Sequence, residues 1–360
     1  MFSFIVFVII LSILIVVHEF GHFMAARRVG VRVEKFSLGF GPQILKKKKK
    51  ETEYSISAIP LGGYVKLAGD SLEEYTGKSD EYFSQPPGKR FLIIFSGPFL
   101  NYCLGFLCFW LIFFVGYPTL TTKVGGLIDG FGAQVAGLQA GDKINAVDGK
   151  RVEYWEDLQK IIQKKQSQEK VELSVIRGSQ QLKIPVSIKT KQIEDPIGQK
   201  RNVGLLGITP FDEVIIVKHG ILESFVLGIN KTWEITSVTL SGLWRMLTGQ
   251  LSIRESVTGP LGIFYITSKA ASLGFIAVLH LLALLSVSLA IFNLLPLPVL
   301  DGGHVVFLAL EKIRGKTLSI KTEHVITQIG VTLLITLVIF VTYYDIVRFF
   351  GDKISKIFVR

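Results

Sequence analysis

A chain of 360 residues with 49% hydrophobic content and a mean hydropathy of +0.45 is too apolar for an ordinary soluble protein, yet it leaves room for a water-facing module. The formal charge of +11, from 40 Lys and Arg against 29 Asp and Glu, does not describe a nucleic-acid surface. The basic residues gather between the first two apolar segments and include the lysine run 46–50, the positive-inside bias of a cytoplasmic loop lying against anionic lipid.

In chain order, residues 1–28 read as a first transmembrane helix. Positions 2–17 carry no charge, and the apolar character resumes after a polar cluster at 18–22. A secretory signal would bring a basic leading region and a small-residue cleavage site, so a retained span is expected. Residues 29–90 form a cytoplasmic or membrane-associated β region, in which Tyr54-Ser-Ile-Ser-Ala-Ile alternates like a strand. Residues 91–116 are a second span. It holds the only cysteines, Cys103 and Cys108, which lie on different helix faces and imply no disulfide framework.

Residues 123–190 run strand, short turn, strand, helix and two strands, an order that resembles a PDZ domain. Such domains take extended peptides by adding a strand to an open sheet edge. Residues 191–274 read as a linker with an interfacial amphipathic helix at 220–246, because Glu223, Lys231, Glu234 and Arg245 are spread through it. Residues 275–301 form a third span and the turn after it, and 325–345 a fourth span. The fold class expected is a polytopic α-helical membrane protein with about four transmembrane helices. A membrane-surface β-hairpin or sheet and one inserted PDZ-like α+β domain complete it.

The polar cluster in the first span carries chemistry. Residues four apart on a helix lie one above the other, so His18 and His22 of His18-Glu-Phe-Gly-His present two imidazoles to one point, with Glu19 beside them. This is the H-E-x-x-H pattern of two metal ligands and a general base. Ionisable groups inside a membrane helix are costly and are kept mainly for function.

A catalytic zinc usually takes three protein ligands, which leaves one donor to find. Asp301 is the clearest candidate. Pro296 and Pro298 end the third span, and Gly302 and Gly303 let the chain turn directly after the carboxylate. Depth agrees: His18 lies about 24 Å along the first span, and with 220–246 not crossing, Asp301 reaches the same leaflet. His280 stands about 30 Å away at the start of the third span and reads as a packing residue. His304, three residues past Asp301, stays open as an alternative ligand.

Six motifs now stand in order: His18-Glu-Phe-Gly-His, Gly39-Phe-Gly-Pro, Pro60-Leu-Gly-Gly-Tyr-Val, Gly97-Pro-Phe-Leu-Asn, Gly259-Pro-Leu-Gly-Ile and Asn293-Leu-Leu-Pro-Leu-Pro-Val-Leu-Asp-Gly-Gly-His. Together they resemble the PDZ-containing bacterial branch of the site-2 protease family, the zinc intramembrane proteases. The resemblance implies that His18, His22 and Asp301 hold Zn2+, that Glu19 is the catalytic base and that Asn293 positions substrate or stabilises the oxyanion. It implies cleavage of single-span membrane proteins, such as anti-sigma factors or remnant signal peptides, in the bacterial inner membrane, with the site toward the cytoplasm. The strand-like segment 56–67 would pair with an unwound substrate, Gly62, Gly63 and Tyr64 lying against it. Relatives in enteric bacteria resemble tandem PDZ arrangements, whereas one module is legible here. A non-proteolytic scaffold, or a membrane zinc protease of another type, is the rival reading; the full set His18, Glu19, His22 and Asp301 speaks against the first.

Overall fold

The computed structural model describes residues 1–194, 200–317 and 319–358. The chain divides into two units: Met1–Ile112 with Leu222–Leu247 and Ser252–Arg360, and Phe113–Ile221 with Thr248–Leu251.

Among the described residues of the first unit, four helices are long and apolar enough to cross a membrane: Phe2–Val29, Pro87–Val115, Phe275–Asn293 and Ile320–Phe349. The protein is thus a polytopic helical membrane protein, as its composition requires. The first span stops at Gly30, whose φ of 89° suits glycine and returns its N–H to Ala26 O and Arg27 O. Arg27 and Arg28 occupy the last turn, where cations suit both the helix dipole and a lipid headgroup layer.

Strands Val33–Lys49 and Thr52–Leu67 follow as an antiparallel pair whose register folds on itself. Phe36, Ser37 and Leu38 pair with Tyr54, Ser55 and Ile56 on one side and with Val65, Tyr64 and Gly63 on the other. Leu45 to Lys49 close a further ladder on Ile56 to Thr52. The result is a four-segment sheet in which the stretch from Gly63 to Leu67 is an edge. Phe23, Val33, Phe36 and Leu67 join this sheet to the first span in one apolar cluster.

Helix Ile221–Leu247 covers the amphipathic segment expected at 220–246 and is not among the four helices long and apolar enough to cross a membrane. Its buried stripe is Ser224, Gly228, Thr232 and Thr236, small residues at every fourth position, and it lies against the second span. Phe225 meets Phe106 edge-on at 5.2 Å, and Thr236 Oγ1 lies 3.0 Å from Tyr102 Oη, so the two helices run antiparallel. Its apolar side chains Trp233, Trp244 and Leu222 face outward. Helix Pro260–Leu273 then returns along the first span, with Phe264 against Phe7 at 5.5 Å and Ser268 against Ser3 at 3.1 Å.

The second unit is a PDZ-like α+β module. A four-stranded antiparallel sheet runs in the order Lys150–Arg151, Lys143–Val147, Lys170–Arg177, Gln180–Ser187, with helix Trp155–Ile162 packed on it. Val124, Ile144, Val147, Leu173, Val175 and Val186 are fully buried in its core. Strand Ile208–Pro210 pairs with Val124–Leu127, and Val214–Val217 with Tyr117–Leu120. The module therefore extends well past the boundary at 190 that the sequence suggested. Strands Lys189–Glu194 and Lys200–Leu205 pair with each other, while the two strands after them find partners up to a hundred residues back along the chain. Within it, a cleft of about 100 Å³ is lined by Trp155, Leu158, Ile162, Leu206 and Ile208.

One buried ion pair in this module makes a testable statement. Asp142 is 1% exposed and accepts from Arg177 Nε and Nη2, each at 2.8 Å, and from the Gln139 amide at 2.9 Å. Burial alone would push its carboxyl up; the Arg177 fork and the Gln139 amide instead hold it below its ordinary value. A carboxyl depressed by folding contributes stability that is complete above its unfolded pKa and is lost as pH falls through the folded value. The protection factors of the Ile144 and Leu173 amides, with the intrinsic pH dependence of exchange divided out, are expected to fall below about pH 4. Arg177→Met is expected to destabilise the module at neutral pH, by leaving the buried Asp142 carboxylate without its cation, and to flatten that acid dependence. Identical profiles for both proteins would show that the pair contributes nothing.

Candidate metal centre

His18 and His22 sit one turn apart near the end of the first span, with their Nε2 atoms 3.2 Å apart. Asp301, nearly three hundred residues later, closes the triangle: Oδ2 lies 3.2 Å from His18 Nε2 and Oδ1 3.6 Å from His22 Nε2. For ligand bonds of about 2.0–2.1 Å, a tetrahedral zinc separates its ligands by roughly 3.3 Å, and the three donors match that spacing. The polar bookkeeping agrees. His22 Nδ1–H donates to Ile93 O at 2.8 Å, which leaves the Nε2 lone pair facing the cluster, while Asp301 Oδ2 is buried without a hydrogen bond. Lone pairs turned toward one another repel unless a cation lies between them, so the residues fit a zinc. Among the described residues this is the one group of three such donors within ligating reach.

The local sequence explains how the third donor arrives. The third span ends at Asn293, and Leu297 N–H returns to Leu295 O and Leu300 N–H to Leu297 O as the chain reverses. Helix Asp301–Arg314 starts at once, with the carboxylate in its first turn, where the helix dipole favours negative charge. A Cβ at Gly302 would overlap Leu294 O and Leu295 O, and one at Gly303 would overlap Leu297 O. Only two glycines allow so tight a reversal.

The second span forms the wall behind the histidines. A Cβ at Gly97 would overlap His22 Nε2 and come within 2.9 Å of His18 Cε1, so the helix backbone itself touches the imidazoles. Pro98 has no N–H to offer Ile94 O, and beside that break Ile93 O accepts from His22. The Gly-Pro pair inside a span is the sequence signal for this contact.

Glu19, His22, Asp301 and His304 open onto a cavity of about 290 Å³ walled by Val65, Leu67, Ile94 and Leu308. The Glu19 carboxylate accepts from the backbone N–H of Val65 on the edge strand. Asp70, which accepts from Leu67 N–H at 3.0 Å, marks the far end, and burial pushes its carboxyl up.

The other expected site residues distribute unevenly. Gly63 lies beside Glu19, where a Cβ would stand 3.1 Å from Ile15 Cγ2 and 3.5 Å from Glu19 Cγ. That Cβ would come closest to Ser37 O of the neighbouring strand, at 2.9 Å, with the first span next. At Gly62, with φ of 143°, a Cβ would overlap the Phe40 ring, so glycine is needed there for the turn. The Tyr64 ring stacks on Phe40 at 6.4 Å under Lys35 Nζ, on the strand face opposite Val65 and Leu67. A strand alternates, so on the side of Val65 and Leu67 the edge offers only its backbone at Tyr64. Asn293 lies beside His18, its Nδ2 3.4 Å from His18 Nδ1. His280 packs on Phe109 at 5.4 Å, away from the cluster, and His324 lies 3.6 Å from Glu73 Oε1.

Comparison with known proteins matches this architecture along the chain. The model of peptidase family M50 covers residues 6–337. The regulator of sigma E protease of Haemophilus influenzae is 29% identical over 95% of this chain and 98% of its own length. The zinc metalloprotease RasP of Oceanobacillus iheyensis is 28% identical over 96% and 98%. Among solved structures, the PDZ domain of an SdrC-like protein from Listeria innocua covers 26% of this chain and 96% of its own, at 21% identity and a TM-score of 0.21. With its family shown over most of its length, the chain belongs to peptidase family M50 and is a zinc metalloprotease of the site-2 protease type.

Proposed function

We propose that this protease hydrolyses peptide bonds within or beside the transmembrane segments of single-span membrane proteins. The observation that carries the reading is the position of the centre: two of its three donors and Glu19 belong to a membrane-spanning helix. A polypeptide reaches that depth most readily as a membrane segment. The substrate class is that of regulated intramembrane proteolysis, anti-sigma factors or remnant signal peptides already shortened by another protease. The setting is a bacterial inner membrane, with the metal centre toward the cytoplasm and the PDZ-like module on the other side, where its cleft would take a peptide.

His18, His22 and Asp301 would hold zinc, which when bound supplies Lewis acidity to the attacking water and the scissile carbonyl. Glu19 takes the proton of that water on its carboxylate and returns it to the leaving nitrogen. A substrate helix must first unwind, and its freed backbone groups need partners in hydrocarbon. The edge from Gly63 to Leu67 offers them backbone C=O groups in strand geometry beside Glu19, while its Val65 and Leu67 N–H groups already serve Glu19 and Asp70.

Reconstitution of the purified protein with a single-span substrate, followed by mass mapping of the products, tests this. Cuts are expected inside the apolar segment or at its cytoplasmic border, and glycines placed there should speed them by easing unwinding. Cuts confined to soluble flanks would contradict the proposal.

A further inference from the structure

The carboxamide of Asn293 stands on the wrong side of His18 for a group that binds the reacting carbonyl. Imidazole nitrogens point to opposite sides of the ring, and His18 turns Nε2 toward Asp301 and His22. Asn293 meets the other nitrogen, Nδ1, at 3.4 Å. The cavity that holds Glu19, His22 and Asp301 is walled without it. An oxyanion donor has to lie about 2.7–3.1 Å from the developing charge, and here a whole imidazole intervenes.

We infer that Asn293 is a positioning residue for the metal ligand His18, accepting the Nδ1–H proton through its carboxamide oxygen and so keeping Nε2 free to ligate. The two ends of a carboxamide exchange by a half-turn about its terminal bond. With Nε2 committed to a metal, Nδ1 carries the proton, and the oxygen is the end that must face it. His22 is served in the same way by Ile93 O, so each histidine has its own acceptor from a different span. Asn293 suits the task because its backbone is rigid: it is the last residue of the third span, which Ser286 Oγ ties to Asn101 O of the second at 2.7 Å.

The inference rests on the reading of His18 as a zinc ligand, and the test separates the two. Zinc affinity of the purified full-length chain is measured by chelator competition. Loss of tight binding in His22→Ala establishes the metal site independently of Asn293, and tight binding that survives there fails the site itself. Asn293→Leu, close in size but without an acceptor, is expected to weaken zinc binding about 10- to 100-fold. Asn293→Asp keeps an acceptor and is expected to stay within threefold of wild type. Unchanged affinity in Asn293→Leu overturns the inference, and so does an equal loss in Asn293→Asp. Should Asn293→Leu fail to fold, Asn293→Asp alone carries the decision, since a group that must donate to substrate would leave it with zinc but inactive. Cleavage by Asn293→Asp at near wild-type kcat is therefore the accompanying expectation.

Discussion

Glutamine at position 19 is expected to lower kcat about 100- to 10,000-fold, the range associated with loss of a positioned general base. Zinc content should not change, because Glu19 is not among the three ligating donors. The substitution is gentle on structure: a glutamine oxygen can still accept from Val65 N–H, so the edge strand keeps its tie to the first span. What it loses is basicity toward the attacking water. Single-turnover cleavage of a single-span substrate, with zinc measured on the same preparation, reads both quantities. Turnover within fivefold of wild type would remove Glu19 from the chemistry; a parallel loss of zinc would make it structural.

A methyl group at position 97 is expected to do damage that no list of ligands would foresee. The Cβ of Gly97→Ala would overlap His22 Nε2, and that ring cannot swing away without giving up its bond to Ile93 O. Overpacking of this kind costs about 1–3 kcal/mol where the neighbour yields. Here the yielding neighbour would be a metal ligand, so zinc affinity should fall about 10- to 100-fold, with activity falling alongside. Gly88→Ala, on the same helix with open space around it, serves as the control and should be neutral. Wild-type zinc affinity in Gly97→Ala would show that the second span does not approach the histidines as closely as described.

Much of the site was legible because its chemistry is written in local spacing. His18, Glu19 and His22 need only a helix to converge, and Asp301 needs only the proline-broken end of a span and two glycines. What the sequence hid depends on contacts between distant helices. Nothing near Gly97 says that its Cα faces an imidazole, and nothing near Ile93 says that its carbonyl orients a ligand. Asn293 is legible through its motif, but a motif carries no information on which side of a ring the amide lies. Strand alternation puts the Tyr64 ring opposite Val65, and the register that decides this is fixed only in the folded sheet. In helix Ile221–Leu247 the small residues Ser224, Gly228, Thr232 and Thr236 mark a helix-packing face, but nothing in the local sequence names the second span as its partner.

Zinc X-ray absorption on the purified chain tests the split centre most directly. The first shell should hold four nitrogen or oxygen scatterers at about 2.0–2.1 Å, with the multiple scattering of two imidazoles. In Asp301→Ala an oxygen ligand from protein should be lost and the affinity should drop. A first shell with three imidazoles, or one that survives Asp301→Ala unchanged, would contradict the assembly of the centre from His18, His22 and Asp301.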